Sequence, residues 1–307
     1  MTDTPKPLIV YVPGLLPKPT PAIHRVALLR CLLAGIAHID SDVAGEIEQC
    51  DSFELVPWTF DFYGKHRDFN IDRDAIDRLL EKTGASREDM TEASSWRRRF
   101  TRWLYRLGNR MPFLIPHLAS EKLEIHLRDL RRYTLNQRGI AERIRHKVKT
   151  PLRAAARSGR PVLLIGHSMG SVIAYDALWQ MTHRDGDDVD IDLLLTMGSP
   201  LGQHYIQQRI KGSGQEGAGR FPANVALWKN LSAVGDLTAI DPELANDFGA
   251  MTAYGRLQSL EDERIYTWYR LDGELNVHAE YGYLVNEVTA GIVHDWWLRR
   301  RAHPGSA

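Results

Sequence analysis

One five-residue run, Gly166-His167-Ser168-Met169-Gly170, has the residue types and spacing to present a serine hydroxyl on a sharp turn. Ahead of it, Pro161-Val162-Leu163-Leu164-Ile165 reads as a buried strand. Behind it, Val172, Ile173, Tyr175 and Leu178 follow a helical pattern. The flanking Gly166 and Gly170 allow that strand and helix to pack closely about the turn. The chemistry this predicts is nucleophilic, with Ser168 as the attacking group. A glycine-rich turn cradling phosphate is the rival reading, and the strand–turn–helix setting counts against it.

A serine hydroxyl is a poor nucleophile until a base removes its proton, and the base needs an acid to orient it. In a parallel α/β sheet such partners belong at the C-terminal ends of later strands. His278 follows the last strand-like segment and is the expected base. Asp236, behind Gly235 just past the preceding strand, is the expected acid. Asp241 is the alternative acid, although its place before Pro242 also suits a helix cap. Of the other histidines, His294 lies in a C-terminal helical pattern, His303 in a polar tail, and His167 in the variable position beside the serine. The oxyanion formed on acyl transfer needs backbone N–H donors. Met169, next to the nucleophile, supplies one. The other comes from Val12-Pro13-Gly14-Leu15-Leu16, with Leu15 preferred over Leu16.

Six short apolar segments would carry these residues: Leu8–Val12, Phe53–Trp58, Val162–Ile165, Ile191–Met197, Val225–Leu231 and Arg264–Tyr269. Helix-length stretches separate most of them, Ala22–Ala37 and Ser171–Met181 being the clearest, which predicts an α/β fold with a mostly parallel six-stranded sheet flanked by helices. Glu121–Ser158 reads as one or two polar helices. The interval from Asp61 to Pro161 is too long for one crossover, so the chain reads as a single domain over 1–307 with a helical insertion at about 62–118. Within the insertion Trp96, Phe100, Trp103 and Leu107 share one helical face.

With 39 Lys+Arg against 39 Asp+Glu, 43% hydrophobic and 25% charged residues, the 307-residue chain is neither uniformly basic nor disordered in composition. The neutral total hides a split. Residues 97–160 carry 18 Lys/Arg and four Asp/Glu, a local +14 balanced by −14 elsewhere. No nucleic-acid motif accompanies the charge, so nucleic acid is not an expected partner. A lid that covers an acyl pocket and touches an anionic membrane surface through 96–110 is one reading. Core aromatics with a solvated arginine face is the other. Two cysteines, no apolar run of membrane-spanning length and no signal-peptide pattern at the N-terminus predict a cytoplasmic protein. The histidines lack metal-ligand pairing, so no metal is expected.

Taken together, Val12-Pro13-Gly14-Leu15, Gly166-His167-Ser168-Met169-Gly170, Met197-Gly198-Ser199-Pro200-Leu201, Trp228-Lys229-Asn230 with Gly235-Asp236, and His278 followed by Tyr281-Gly282-Tyr283-Leu284 resemble the α/β-hydrolase superfamily, and within it the lipase/esterase-like serine hydrolases. The resemblance spans roughly residues 6–60 and 120–300. It implies an α/β-hydrolase fold and cleavage of small-molecule or lipid carboxylic esters by a catalytic triad through an acyl-enzyme intermediate, without a cofactor. It also implies a structural role for Ser199. Two features depart from the family pattern: the strand before the oxyanion loop comes first, so the N-terminal hairpin of the full fold is not expected, and Asp236-Leu237-Thr238 stands where Asp-Pro-Val is common. An acyltransferase, thioesterase or amidase would use the same residues, and an inactive hydrolase fold serving as a binding protein would retain them.

Overall fold

The apolar run Leu8–Val12 forms strand β1, buried along its whole length. Leu8, Val10 and Val12 enter one core with Val162 and Leu164. Ile9 and Tyr11 enter the opposite core with Leu163 and Ile165. A strand covered on both faces has no polar side to show, hence its continuous hydrophobicity. The computed structural model describes residues 5–96, 98, 121–255 and 257–302. Further strands are β2 (Phe53–Leu55), β3 (Val162–His167), β4 (Ile191–Met197), β5 (Val225–Ala233) and β6 (Ser259–Ile265). All pair in parallel, in the order β2-β1-β3-β4-β5-β6, so the expected six-stranded sheet flanked by helices is present, and wholly parallel.

Two strand expectations need correction. The second strand ends at Leu55, not Trp58. The sixth is Ser259–Ile265 and stops where Arg264–Tyr269 was expected to run on. As an edge strand, β6 buries only Ile265 and carries Glu261, Asp262, Glu263 and Arg264, so its sequence looks polar. The aromatic run behind it is buried without joining the sheet. Trp268 Nε1 donates to the Leu79 carbonyl (3.1 Å) and the Tyr269 hydroxyl to Asp72 (2.7 Å).

Helix α1 (Pro21–Ala37) starts with proline in its first turn, where the missing N–H costs nothing. Asp40 caps α2 (Ser41–Gln49) by accepting the Asp42 and Val43 N–H groups. After β2 come α3 (Thr59–Tyr63), α4 (Asn70–Leu80) and α5 (Arg87–Ala93), the last opened by a Ser86/Asp89 capping box. These helices occupy the described part of the 62–118 insertion and are packed into the body: Ala75, Ile76, Leu79 and Ala93 are buried. Of the predicted aromatic face, Trp96 is 75% exposed. Phe100, Trp103 and Leu107, and with them most of the 96–110 segment, lie outside the described residues.

Two helices occupy Glu121–Ser158: α6 (Glu121–Thr134) and α7 (Ile140–Arg157). They are separated where Asn136, Arg138 and Gly139 take positive φ. Several of the basic side chains here are paired with acids. Lys149 pairs with Asp185 (2.7 Å), Arg153 with Asp185 and Asp187 (2.9 and 2.6 Å), and Lys147 with Asp61. Their acids lie outside the basic stretch and offset part of its local +14, while Arg131, Arg138, Arg143 and Arg157 are exposed. Helix α8 (Met169–Gln180) follows β3, and α9 (Leu244–Phe248) precedes β6. A small hairpin of β7 (Arg270–Leu271) and β8 (Glu274–Leu275) leads into α10 (Glu280–Leu284) and α11 (Glu287–Ala302). Among the described residues no helix is long and apolar enough to cross a membrane.

Candidate active site

Strand β1 lies between β2 and β3, so the connections from β1 and β3 leave in opposite directions. A crevice opens beyond the C-terminal ends of two such strands. The Pro13–Leu16 loop and the Ser168 turn meet at that point. The close packing expected of Gly166 and Gly170 is tightest at Gly170, where an added methyl would fall 2.0 Å from the Val12 carbonyl oxygen.

Ser168 adopts φ +53° and ψ −127°, a conformation side-chain-bearing residues rarely hold, at a cost of about 1–3 kcal/mol. The strain is contained by the Ser168 N–H donating to Met197 O (2.9 Å) and by Ser168 O accepting from both the Ser171 N–H (3.0 Å) and hydroxyl (2.6 Å). Ser199 is buried against the Ser171 hydroxyl (2.7 Å) and accepts the Leu201 N–H, a bracing position for the same turn.

The three residues proposed from sequence form one hydrogen-bonded line. Ser168 Oγ lies 2.9 Å from His278 Nε2, and His278 Nδ1 lies 2.8 Å from Asp236 Oδ2. Asp236 is 1% exposed, whereas the His278 side chain is 31% exposed. Burial pushes the Asp236 carboxyl upward, but His278, the Tyr283 hydroxyl (2.8 Å) and the Thr238 N–H (2.8 Å) outweigh it and hold the group below its usual range. The alternative acid does not reach the histidine: Asp241 accepts the Glu243 N–H at 3.4 Å. Nor does it cap α9. Asp262, brought alongside by β6, accepts the Leu244 and Ala245 N–H groups at 3.0 and 2.8 Å. His294, on α11, sits beside Asp295 and the α2 cap Asp40, and His303 lies outside the described residues.

The proposed donors are suitably bare. Among the described residues, the N–H groups of Leu15 and Met169 donate to no protein acceptor. Met169 opens α8, so its N–H lies at the positive end of a twelve-residue helix. Leu16 is unsuitable because its N–H is already given to the Tyr63 hydroxyl (3.0 Å).

Several neighbours have roles that the sequence reading did not assign. Tyr283 both accepts the Ala233 N–H (2.7 Å) and donates to Asp236, fixing the acid to the end of β5. Gly198, at φ +56°, leaves the acid room: an added methyl would lie 2.9 Å from Asp236 Oδ2. His167 is more than a variable spacer. Its ring lies 4.8 Å from that of His278, and its Nε2–H donates to the His278 carbonyl (2.9 Å). Burial, with His278 beside it, pushes its pKa down to about 3, so the ring is neutral and Nδ1 is a lone pair with no hydrogen-bond partner. Glu280, two residues past His278, is also buried and accepts from Tyr11, Lys18 and His24. The sequence signal for His167 and Glu280 was adjacency to Ser168 and His278; for Lys18 it was adjacency to the donor loop.

Among the described residues no group of three or more His, Cys, Asp or Glu side chains is placed to hold a metal ion. No protein-family model, curated protein or solved structure matches the chain.

Proposed function

We propose that this chain is a serine hydrolase of the α/β-hydrolase type that cleaves carboxylic esters through an acyl-enzyme intermediate. The observation carrying the proposal is the continuous Ser168–His278–Asp236 hydrogen-bonded line at the switch point of a parallel sheet, ending on a serine held at positive φ. His278 Nε2 takes the Ser168 hydroxyl proton as Oγ adds to the ester carbonyl carbon. The oxyanion settles on the N–H groups of Leu15 and Met169. Collapse breaks the bond to the alkoxy oxygen, which leaves as the alcohol with the proton from His278. Water then adds to the acyl group, giving its proton to His278; the acid is released and Ser168 recovers its hydroxyl proton. Asp236 stays ionised, holds His278 with Nδ1 protonated and stabilises the transient imidazolium.

The test is labelling by a fluorophosphonate probe together with hydrolysis of a p-nitrophenyl ester series. The wild-type protein should label and turn over, while Ser168→Ala should do neither, with at least a 10⁴-fold rate loss. Absence of wild-type labelling and turnover would remove the proposal. Product analysis with an added alcohol separates hydrolysis from acyl transfer.

A further inference from the structure

The oxyanion donor loop, residues 13–20, has neither helix nor strand to set its position. Its main chain is tied at four points: Pro13 O accepts from Trp58 Nε1 (2.8 Å), the Leu16 N–H donates to Tyr63, Lys18 O accepts from the Arg67 N–H (2.9 Å), and Thr20 O accepts from the His24 N–H (2.9 Å). A fifth tie, through a side chain, crosses the site. Lys18 Nζ, three residues beyond Leu15, donates to Glu280 Oε1 at 2.8 Å, and Glu280 stands two residues beyond His278.

This carboxylate is 4% exposed and has partners from several elements. Oε1 also accepts from His24 Nε2 on α1 (2.9 Å), and Oε2 accepts from the Tyr11 hydroxyl on β1 (3.2 Å). Oε2 faces His167 Nδ1 at 3.8 Å, and His167 in turn holds the His278 carbonyl. Burial pushes the Glu280 carboxyl upward, but Lys18 and His24 reverse this and hold it well below its usual range. Gain in stability is a weak reason to bury such a pair, because desolvation consumes most of the Coulombic attraction and an apolar pair of similar volume does as well. What an ion pair adds is a fixed length and direction between two loops. Oxyanion catalysis needs that, since the donors must stand within about 0.5 Å of their working position.

We infer that Lys18 and Glu280 are positioning residues that hold the Leu15 N–H in register with His278. The inference rests on the ester-hydrolase reading, and it places no new group on the substrate. If the strut is cut, the donor loop can drift while Ser168, His278 and Asp236 keep their contacts. The loss should therefore fall on the charged transition state and spare ground-state binding.

The experiment compares Lys18→Met, Lys18→Arg and Glu280→Gln with the wild type on p-nitrophenyl acetate and with a trifluoromethyl ketone, which forms a tetrahedral oxyanion on the serine. Lys18→Met should lower kcat about 10–100-fold with KM changed less than about threefold. It should weaken trifluoromethyl ketone inhibition by a similar factor, and Lys18→Arg should restore most of both. Glu280→Gln leaves Lys18 without its anion and should match or exceed Lys18→Met; where it fails to fold, the Lys18 pair of variants still decides. Unchanged kcat and inhibition in Lys18→Met would overturn the inference, as would equal losses in the Met and Arg variants. A wild-type protein that neither labels nor turns over would instead refute the hydrolase reading.

Discussion

Two buried polar networks in this protein are built on different terms. Between α7 and α8, Arg145 donates to Glu142 (2.8 Å), Gln180 (3.1 Å) and Tyr133 (3.3 Å). Tyr133 in turn donates to Asp176, which also accepts the Lys211 N–H (2.7 Å). Each charge there meets an opposite charge, and the backbone around it is regular helix. Around Ser168 the terms change. The serine is held at positive φ, one histidine keeps an exposed edge while its acid is buried, and a second histidine has a buried nitrogen with no hydrogen-bond partner. The first network is satisfied and serves packing. The second retains strain and an unmet lone pair, which persist only where the surroundings over-determine them.

The sharpest way to break this contrast is to remove one acid from each side. Asp236→Asn should lower kcat about 10⁴-fold on a p-nitrophenyl ester, because the amide no longer holds the required form of His278. Its thermal transition should stay close to the wild type. Asp176→Asn should do the reverse, costing about 3 kcal/mol in denaturant unfolding while the fluorophosphonate labelling rate of Ser168 stays within about twofold. Equal slowing of labelling by the two would show that the networks do not divide as described.

Acid titration sharpens the comparison through His167. The ring is neutral in the fold down to about pH 3, whereas in the unfolded chain it titrates near its ordinary 6.5. Between those values the unfolded state binds a proton that the folded state refuses. Stability attached to the neutral ring is therefore full above about pH 6.5 and falls by up to about 1.4 kcal/mol per pH unit on descending toward 3. Urea unfolding from pH 7 to 5 should show this slope in the wild type and a flatter one in His167→Gln. Equal slopes would remove the burial argument. The smallest effect is expected for Tyr283→Phe, which deprives Asp236 of one donor and leaves the Ala233 N–H unpaired. It should cost about 1–2 kcal/mol in stability and about tenfold or less in kcat.

The parts of the fold that the sequence exposed are those where a single local rule decides. Leu8–Val12 is apolar throughout, and Ile191–Met197 is apolar apart from Asp192 and Thr196, because both faces are covered, and the structure gives those same limits. The sixth strand escaped because an edge strand follows another rule: its neighbour on one side is solvent, so charges replace apolar side chains. Meanwhile Trp268 and Tyr269 resemble strand residues but are buried by hydrogen bonds to α4. At the site, the Ser168, Asp236 and His278 positions could be read because each follows its own strand. Glu280 and Lys18 carried only adjacency to His278 and to the donor loop, and Tyr283 stood five residues from His278; the roles of all three emerge only when distant segments meet.

The two borders of the sheet bear on how copies of this chain meet. An open parallel sheet exposes a line of unpaired backbone groups at each side, onto which another chain can add a strand. On one side β2 offers only three residues. On the other, β6 presents the consecutive charges Glu261, Asp262, Glu263 and Arg264, while the Asp262 carboxylate is drawn over to the start of α9. Neither border is a long, flat apolar template, so strand addition between copies, the usual first step toward fibrous aggregates of such sheets, is discouraged at both ends.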